Sequence, residues 1–132
     1  MAKIIKDTYL SLSSFIGTSN DDVYTFTINN WNNRDSFDGG DGFDTLQVNI
    51  NATGTITIDL TDGSIGVNNS PSLPLIFNFE SLDLRQYSNF GAKIIGNNSN
   101  NLLIGTKQND EFSLTEGGDV IDGDQGEESY KP

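Results

Sequence analysis

The chain has 132 residues, enough for one domain with a modest hydrophobic core. Its 19 acidic and 7 basic residues give a net charge of −12, which argues against nucleic acid and anionic membrane surfaces as partners because their phosphates would be repelled. The absence of cysteine and histidine excludes disulfides, thiol chemistry, zinc sites and histidine-based catalysis. No apolar run approaches the ~18 residues of a transmembrane helix, so we expect no membrane span.

Short strands separated by polar turns are predicted along almost the whole chain. Residues 23–28 and 55–60 alternate between apolar and polar side chains, as half-buried strands do. Residues 61–75, rich in Asn, Ser and Pro, predict a long surface loop. Residues 76–84 predict a strand in which the alternation of inward and outward side chains shifts by one residue, which indicates a bulge near Glu80.

One stretch, residues 39–47, fits the nonapeptide G-G-x-G-x-D-x-U-x, where U is a large apolar residue and Asp44 is the acidic position. Residues 17–25 fit it with Thr18 and Asn20 in place of two glycines. Glycines let the first six residues reverse tightly and turn carbonyl oxygens inward. Because the ligands on offer are hard oxygens, the pattern favours Ca²⁺ over a transition metal.

The nine-residue period becomes strict in the last third of the chain. Three of the four units there begin with glycine, and all four have an oxygen-bearing side chain sixth and a large apolar side chain eighth. The first positions are Gly96, Gly105, Leu114 and Gly123, the sixth are Asn101, Asp110, Asp119 and Glu128, and the eighth are Leu103, Phe112, Ile121 and Tyr130. A polar linker of low complexity would not keep the apolar position, so the period indicates stacked structural repeats.

The register predicts which turns lie next to each other. Two nine-residue units make one coil of eighteen residues, so every second turn stacks on the same edge. The 22 residues between Gly17 and Gly39 are one such coil with a four-residue insertion in a turn around Trp31. The expected side-chain pairs are Asp22 with Asp44, Asn101 with Asp119, and Asp110 with Glu128. A cation between two carboxylates would convert their repulsion into cohesion.

We therefore predict an all-β fold, a parallel β-roll or β-solenoid with two short strands per coil, as a single domain over residues 1–132. Its predicted parts are an N-terminal strand or cap (1–16), wider coils (17–60), a longer loop (61–75), connecting strands (76–95) and the nonapeptide repeats (96–130).

By these motifs the chain resembles the repeats-in-toxin (RTX) family of haemolysin-type calcium-binding repeat proteins. The resemblance covers residues 17–50 and 96–130, and the segment between them is similar to a wider stretch often found in such chains. It implies a parallel β-roll that binds Ca²⁺ in its turns, stays largely unfolded at low calcium, and leaves Gram-negative bacteria by type I secretion.

By position, the resemblance implies that an earlier turn contributes carbonyls from its second and fourth residues and a side chain from its sixth. The turn one coil later would contribute carbonyls from its first and third residues and a side chain from its sixth. The implied sets are Thr18, Asn20 and Asp22 with Gly39, Asp41 and Asp44; Thr106, Gln108 and Asp110 with Gly123, Gln125 and Glu128; and Asn97, Ser99 and Asn101 with Leu114, Glu116 and Asp119. Since only the unit at 39–47 is complete, we expect one stronger site and one or two weaker ones.

The function expected from this reading is a calcium-binding module of a secreted protein, which folds or is stabilised by Ca²⁺ after export. The first ten residues show no signal-peptide pattern, in agreement with a type I-like route. The acidic, hydrophobic tail expected of type I substrates is missing, so other domains of a longer protein are expected partners. Catalysis is not expected, because turn carboxylates such as Asp41 and Asp44 are far more often ligands or turn formers.

An alternative function is an adhesive or carbohydrate-binding module, in which calcium is only structural or absent. Trp31, Tyr87 and Phe90 lie in polar turns, where aromatic rings can stack on sugars, although aromatics there more often cap the ends of a core. Open solenoid ends would also favour self-association through exposed strand edges.

Overall fold

The protein is all-β in the part that its structure describes. This computed structural model describes residues 4–7, 14–26, 36–48, 54–67, 70–71, 76–87, 90–123 and 126–131. These residues form strands and turns and no helix, which confirms the predicted all-β class for them. It follows that no helix among them is long and apolar enough to cross a membrane.

The strands are short, two to four residues each, because turns rich in Gly, Asn and Asp interrupt them. In chain order they are β1 (Ile4–Asp7), β2 (Ser14–Ile16), β3 (Val23–Phe26), β4 (Ser36–Asp38), β5 (Thr45–Val48), β6 (Ile56–Asp59), β7 (Ser64–Val67), β8 (Ser70–Pro71), β9 (Ile76–Phe77), β10 (Ser81–Asp83), β11 (Ala92–Ile95), β12 (Leu102–Ile104), β13 (Glu111–Ser113), β14 (Val120–Asp122) and β15 (Ser129–Lys131).

The strands assemble into three sheets in which parallel pairing dominates. Sheet A has the order β1-β3-β5-β10-β12-β14 and is parallel throughout. Sheet B has the order β2-β4-β9 and is also parallel. Sheet C has the order β15-β13-β11-β6-β7-β8, with antiparallel pairs only at β6–β7 and β7–β8. From β9 onward the chain visits sheet B once and then alternates between sheets A and C.

Two predictions about the middle of the chain are wrong. The long loop predicted for residues 61–75 instead contains strands β7 and β8, and residues 68–69 and 72–75 lie outside the described part. The single bulged strand predicted for residues 76–84 is divided into β9 and β10 by a turn. Asn78 makes that turn with a φ of 58°, a left-handed conformation that Asn tolerates better than most residues.

The pairing register follows the predicted repeat. Leu103 lies opposite Ile121, eighteen residues later, and Phe112 lies opposite Tyr130 at the same separation. Tyr24 lies opposite Leu46, at the predicted separation of 22 residues. Parallel strands at these separations place the eighth residue of each unit in one inward row.

These inward rows form the hydrophobic core. In sheet A the row of Leu46, Leu82 and Leu103 is fully buried. In sheet C the corresponding row ends with Phe112, which is fully buried, and Tyr130, which is 57% exposed. The two rings are stacked, with their centroids 5.6 Å apart. The core is therefore closed in its middle and partly open beside β15.

The outward face of sheet A carries a polar ladder. Thr25, Gln47 and Asp83 lie side by side on neighbouring strands, with Gln47 in the middle. The Thr25 hydroxyl donates to Gln47 Oε1 at 2.9 Å. Arg85 forms an ion pair with Asp83 at 2.7 Å. The hydrogen bond from Arg85 lowers the pKa of Asp83, so this carboxylate is ionised near neutral pH.

Truncating Leu103 tests the stacked core. Leu103→Ala should lower the free energy of unfolding by about 2–5 kcal/mol, because it leaves a cavity in a fully buried row. Val120→Ala, on the neighbouring strand β14 at a side chain 60% exposed, should change it by less than about 0.5 kcal/mol. Urea unfolding monitored by circular dichroism measures the free energy of unfolding of both variants. Equal losses of this free energy would contradict the inward assignment of Leu103.

Candidate metal centre

Turns that precede parallel strands form three pairs in the structure. The two turns of each pair lead into strands that lie in the same sheet, so the turns stack at the same edge. The first turn pair is residues 17–22 with 39–44, the second is 105–110 with 123–128, and the third is 96–101 with 114–119. These are the turns in which the sequence predicts metal ligands.

Glycine at the fourth position lets the paired turns touch. Gly42 has a φ of 109°, and a β-carbon there would lie 2.6 Å from the carbonyl oxygen of Asn20 in the earlier turn. Gly126, with a φ of 90°, has the same relation to the Gln108 carbonyl, at 2.5 Å. No L-residue fits such an approach without displacing the backbone. The carbonyls of Asn20 and Gln108, both predicted ligands, are thereby held against the next turn.

A hydrogen bond at the fifth position repeats in all three pairs. In each, the backbone N–H of the later turn donates to an Asp or Asn side chain of the earlier turn, at 2.7–2.8 Å. The bonds run from Phe43 to Asp21, from Glu127 to Asn109 and from Gly118 to Asn100. This contact is absent from the sequence prediction, although Asp or Asn at the fifth position of each earlier turn is a visible signal for it.

The sixth residue closes the earlier turns of the first and second pairs. Asp22 Oδ2 accepts the Thr18 N–H at 2.7 Å, and Asp22 Oδ1 accepts the Thr18 hydroxyl at 2.9 Å. Asp110 is bonded to Thr106 in the same way, at 2.9 Å and 2.7 Å. Both carboxylates are buried. Donors within the same turn therefore stabilise these two charges.

Asp44 is in a different environment. It is fully buried, and its Oδ1 accepts the backbone N–H of Asp22 at 2.8 Å. Its Oδ2 is buried and accepts no hydrogen bond from any described residue. The N–H that would close the turn belongs to Gly40, which has a φ of 80° and donates instead to Asp38 Oδ1 at 2.9 Å. A buried carboxylate oxygen thus lacks a compensating group, which is costly unless a cation supplies one.

The electrostatics around Asp44 are unfavourable to its negative charge. Burial raises its pKa to about 6, the N–H of Asp22 offsets part of this, and the negative charges of Glu80, Asp22 and Asp21 raise the pKa further. The pKa of Tyr24 is raised to about 12 by burial and then by the charges of Asp22 and Asp44. The first turn pair is therefore a region of concentrated negative charge in a partly desolvated setting.

Glu80 is a site residue that the sequence prediction missed. Its Oε1 accepts the backbone N–H of Asp44 at 2.9 Å, as Asp44 accepts that of Asp22. Burial raises the pKa of Glu80 as well. The turn before it is too short to match the nonapeptide, but one signal exists. Glu80 precedes the inward Leu82 by two positions, as Asp44 precedes Leu46.

The third turn pair is held by amide hydrogen bonds. Asn101 Oδ1 accepts the Asn97 N–H at 3.1 Å, and Asn101 Nδ2 donates to the carbonyl of Glu80 at 3.1 Å. Asp119 Oδ1 accepts the backbone N–H of Asn101 at 3.0 Å. The Asn101 amide places a neutral group where the first pair has the Asp22 carboxylate, so this pair is a poorer candidate for a cation.

The second turn pair also fits a cation less well than the first. Glu128 packs against Gly123, where a β-carbon would lie 2.6 Å from its carboxyl carbon. The predicted ligand Gln125 lies outside the described residues. Asp110 is bonded within its own turn just as Asp22 is, so the two pairs differ at the sixth residue of the later turn, where the longer Glu128 stands in place of Asp44.

The structure forms no cluster of three or more acidic side chains within metal-binding reach among the residues it describes. A calcium site between turns does not require one, because backbone carbonyls supply much of the coordination. The first turn pair fits this kind of site on two counts: the Oδ2 of Asp44 lacks a partner, and the earlier turn's carbonyls contact the later turn. Comparison with models of known families, with curated proteins and with solved structures finds no match to this chain.

The aromatic residues considered for sugar binding have different positions. Tyr87 is buried at 2% exposure, and its hydroxyl donates to the carbonyl of Gly54, so it belongs to the core, the role expected more often for aromatics in such turns, and offers no surface for a sugar. Phe90 is 38% exposed. Trp31 lies outside the described residues.

Replacing Gly42 tests the contact between the turns of the first pair. Gly42→Ala should lower the free energy of unfolding by more than about 1 kcal/mol, because its φ of 109° and the Asn20 carbonyl both oppose a β-carbon. Gly118→Ala is the matched control, since a β-carbon there would lie 3.4 Å from its nearest neighbour. Thermal unfolding measures both, and equal effects would contradict the close stacking.

The pKa of Asp44 predicts a pH dependence of the calcium-free protein. Its folded-state value of about 6 exceeds the ordinary 3.8, so the folded state binds the proton more tightly and stability falls as pH rises from about 4 to 6. Asp44 alone should contribute on the order of 2 kcal/mol to this loss. The free energy of unfolding in calcium-free buffer should therefore be higher at pH 5 than at pH 7.

Two variants isolate the contribution of Asp44 to this slope. Asp44→Asn should reduce the slope, leaving the smaller part that Glu80 contributes in the same direction. Asp41→Asn removes an exposed carboxylate from the same turn and is the control for the loss of one negative charge. Stability that increases from pH 5 to pH 7 without calcium would contradict the raised pKa.

Proposed function

We propose that this chain is a calcium-binding β-roll module of a secreted bacterial protein, stabilised or folded by Ca²⁺ after export. Its role is binding and structural rather than catalytic. The observation that carries the proposal is the buried Asp44 Oδ2, which has no hydrogen-bond partner in the described part of the chain, in a turn stacked on another turn's carbonyls. The secreted location and the type I-like route rest on the resemblance to RTX repeats.

The parallel pairing supports the β-roll part of the proposal. From β10 to β15 the chain alternates between sheets A and C, and β12–β14, β11–β13 and β13–β15 all pair at a separation of eighteen residues. A roll with nine residues per half-coil has this register. The longer separations in the first half correspond to wider coils that contain insertions.

The first turn pair is the proposed calcium site. Asp44 would supply the principal charged oxygen, Asp22 a second carboxylate, and the remaining ligands would be carbonyl oxygens of the two turns. The proposed carbonyl donors are Thr18, Asn20, Gly39 and Asp41. Bound Ca²⁺ would supply positive charge at Asp44, whose pKa is raised by the nearby negative charges of Glu80 and Asp22. The second and third pairs are proposed as weaker sites.

Calcium dependence of folding then follows from the separation of the ligands. Asp22 and Asp44 are 22 residues apart and meet only when β3 and β5 are paired, so the free energy of binding becomes free energy of folding. At a calcium concentration 100 times the dissociation constant, one site adds about 2.7 kcal/mol. At low calcium, the net charge of −12 favours the expanded chain.

A calcium titration with matched variants tests the proposal. Starting in chelator, CaCl₂ should increase β-structure or the melting temperature, and MgCl₂ should not, because Mg²⁺ gives up its water reluctantly. Asp44→Asn should weaken calcium binding at least about tenfold, by the loss of a buried charged ligand. Asp41→Asn removes the same charge from the same turn but keeps the proposed carbonyl ligand, and should change the affinity no more than about threefold.

Glu128→Gln should have little effect on the strongest binding step, because it changes only the second turn pair. A wild-type chain that is folded in chelator and does not respond to calcium would contradict the proposed function. So would equal losses of affinity in Asp44→Asn and Asp41→Asn, since the effect would then come from net charge rather than from a ligand.

A further inference from the structure

The stack of turns that leads into sheet A has one gap. Turns 17–22, 39–44, 96–101 and 114–119 have six residues each, whereas the chain passes from β9 to β10 in residues 78–80. The short turn leaves space at the edge where its neighbours project. The gap is therefore a consequence of the three-residue connection that the sequence pattern missed.

A cleft of about 530 Å³ occupies this gap. Its walls are the hairpin turn at 61–63 and the turn residues 97–99, and β9 lies at its base. The hairpin is fixed to β9, because the backbone N–H of Ile76 donates to the carbonyl of Gly63 at 3.0 Å. The volume lies in the range of small-molecule sites, and the walls belong to paired strands and hydrogen-bonded turns.

An aromatic ring lines this cleft. Phe77, the last residue of β9, is 46% exposed. Its strand partner Asp38 also lines the cleft, so the ring stands beside a carboxylate. A half-exposed ring at a polar cleft offers an apolar face to the C–H groups of a ligand, while polar neighbours accept or donate hydrogen bonds.

The three carboxylates of the cleft are held in place by hydrogen bonds, and that of Glu80 accepts the Asp44 N–H through Oε1 at 2.9 Å. Asp38 Oδ1 accepts the Gly40 N–H at 2.9 Å and the Asn78 side-chain amide at 2.8 Å. Asp62 Oδ1 accepts the Ser64 N–H at 2.9 Å. In both aspartates the described bonds engage Oδ1, which fixes the direction of the carboxylate. Such oriented acceptors suit ligand hydroxyl groups.

Three acidic residues, Asp38, Asp62 and Glu80, line the cleft with no basic residue among the residues described there, so its acceptors suit the hydroxyl groups of a neutral polyhydroxylated ligand and repel an anion. Asn98 and Ser99 add uncharged polar groups to the lining, and the acidic side chains there do not converge as a metal-binding group within the described chain. A second cleft of about 620 Å³, lined by Lys93 and Glu111 among others, has no aromatic side chain in its described lining.

We propose that the cleft at the short turn binds a carbohydrate, with a pyranose ring stacked on Phe77 and its hydroxyl groups donating to Asp38 and Asp62. This activity goes beyond calcium-dependent folding: it needs the folded chain but no calcium ion in the cleft. It assigns the adhesive role to an aromatic residue other than Trp31, Tyr87 and Phe90.

Nuclear magnetic resonance of the ¹⁵N-labelled chain tests the site directly. The probes are the methyl pyranosides of glucose, galactose, mannose and N-acetylglucosamine. At least one of them should bind with a dissociation constant on the order of 1 mM and shift the amide resonances of residues 77–78 and 97–99. Saturation transfer from the protein should be strongest for protons on one face of the ring, the face in contact with Phe77.

Matched variants separate stacking from non-specific effects. Phe77→Ala should raise the dissociation constant about five- to tenfold, whereas Phe90→Ala, which removes another partly exposed phenylalanine, should leave it unchanged. Phe77→Leu keeps an apolar side chain without the ring and should weaken binding like Phe77→Ala, which covers the case in which the alanine variant fails to fold. Sugar binding should persist in Asp44→Asn at a calcium concentration at which circular dichroism shows that this variant is folded, so failure of the calcium proposal and failure of this one are distinguishable.

Three results would overturn the proposal. They are the absence of any shift at probe concentrations tenfold above the expected constant, shifts that map to Lys93 and Glu111 instead, and equal affinities of Phe77→Ala and Phe90→Ala. Binding of spermidine at residues 77–78 and 97–99 without binding of any sugar would also overturn it, since the cleft would then select an organic cation.

Discussion

The structure depends on a hydrogen bond from the backbone of one turn to the side chain of the next. The N–H of Asp22 donates to Asp44, the N–H of Asp44 donates to Glu80, and the N–H of Asn101 donates to Asp119. Each bond fixes the register of two parallel strands and brings an oxygen-rich side chain to the same edge. Negative charge thereby accumulates along that edge, and such charge is stable in a buried position only where donors or cations compensate it.

In the turns at 17–22, 39–44 and 105–110, the second residue decides how the charge is compensated, whereas in the turn at 114–119 the Thr115 hydroxyl donates to the Asn97 carbonyl. At Thr18 and Thr106, the second residues of their turns, the backbone N–H and the hydroxyl donate to the carboxylate of the sixth residue. These hydrogen bonds close the turn. Where the second residue is Gly40, the N–H bonds Asp38 instead, and Asp44 Oδ2 is left without a protein donor in the described structure. The contrast between structural turns and the proposed ligand turn thus follows from threonine or glycine at one position.

The sequence predicts the periodic parts of this fold well. The spacing of apolar eighth positions is sufficient to place Leu103 opposite Ile121, and the nonapeptide at 39–47 is sufficient to pair Asp44 with Asp22. Prediction fails where the period is broken: Glu80 ends a connection of only three residues, and β7 lies in a stretch rich in Gly, Asn and Ser that predicts a loop. Whether a carboxylate meets a threonine or a cation depends on backbone orientation, which the repeat pattern alone does not specify.

The register also has a consequence for the order in which sheet A can assemble. Leu103 and Ile121 close a loop of eighteen residues when they pair, whereas Leu46 and Leu82 close one of thirty-six. Each doubling of loop length costs about 0.6 kcal/mol of chain entropy, so the first contact is cheapest in the C-terminal repeats. A pairing made there offers a template edge to the next strand. The insertion that contains β7 and β8 therefore raises the entropic cost of pairing β5 with β10, so the two halves of sheet A should join after the C-terminal repeats have paired.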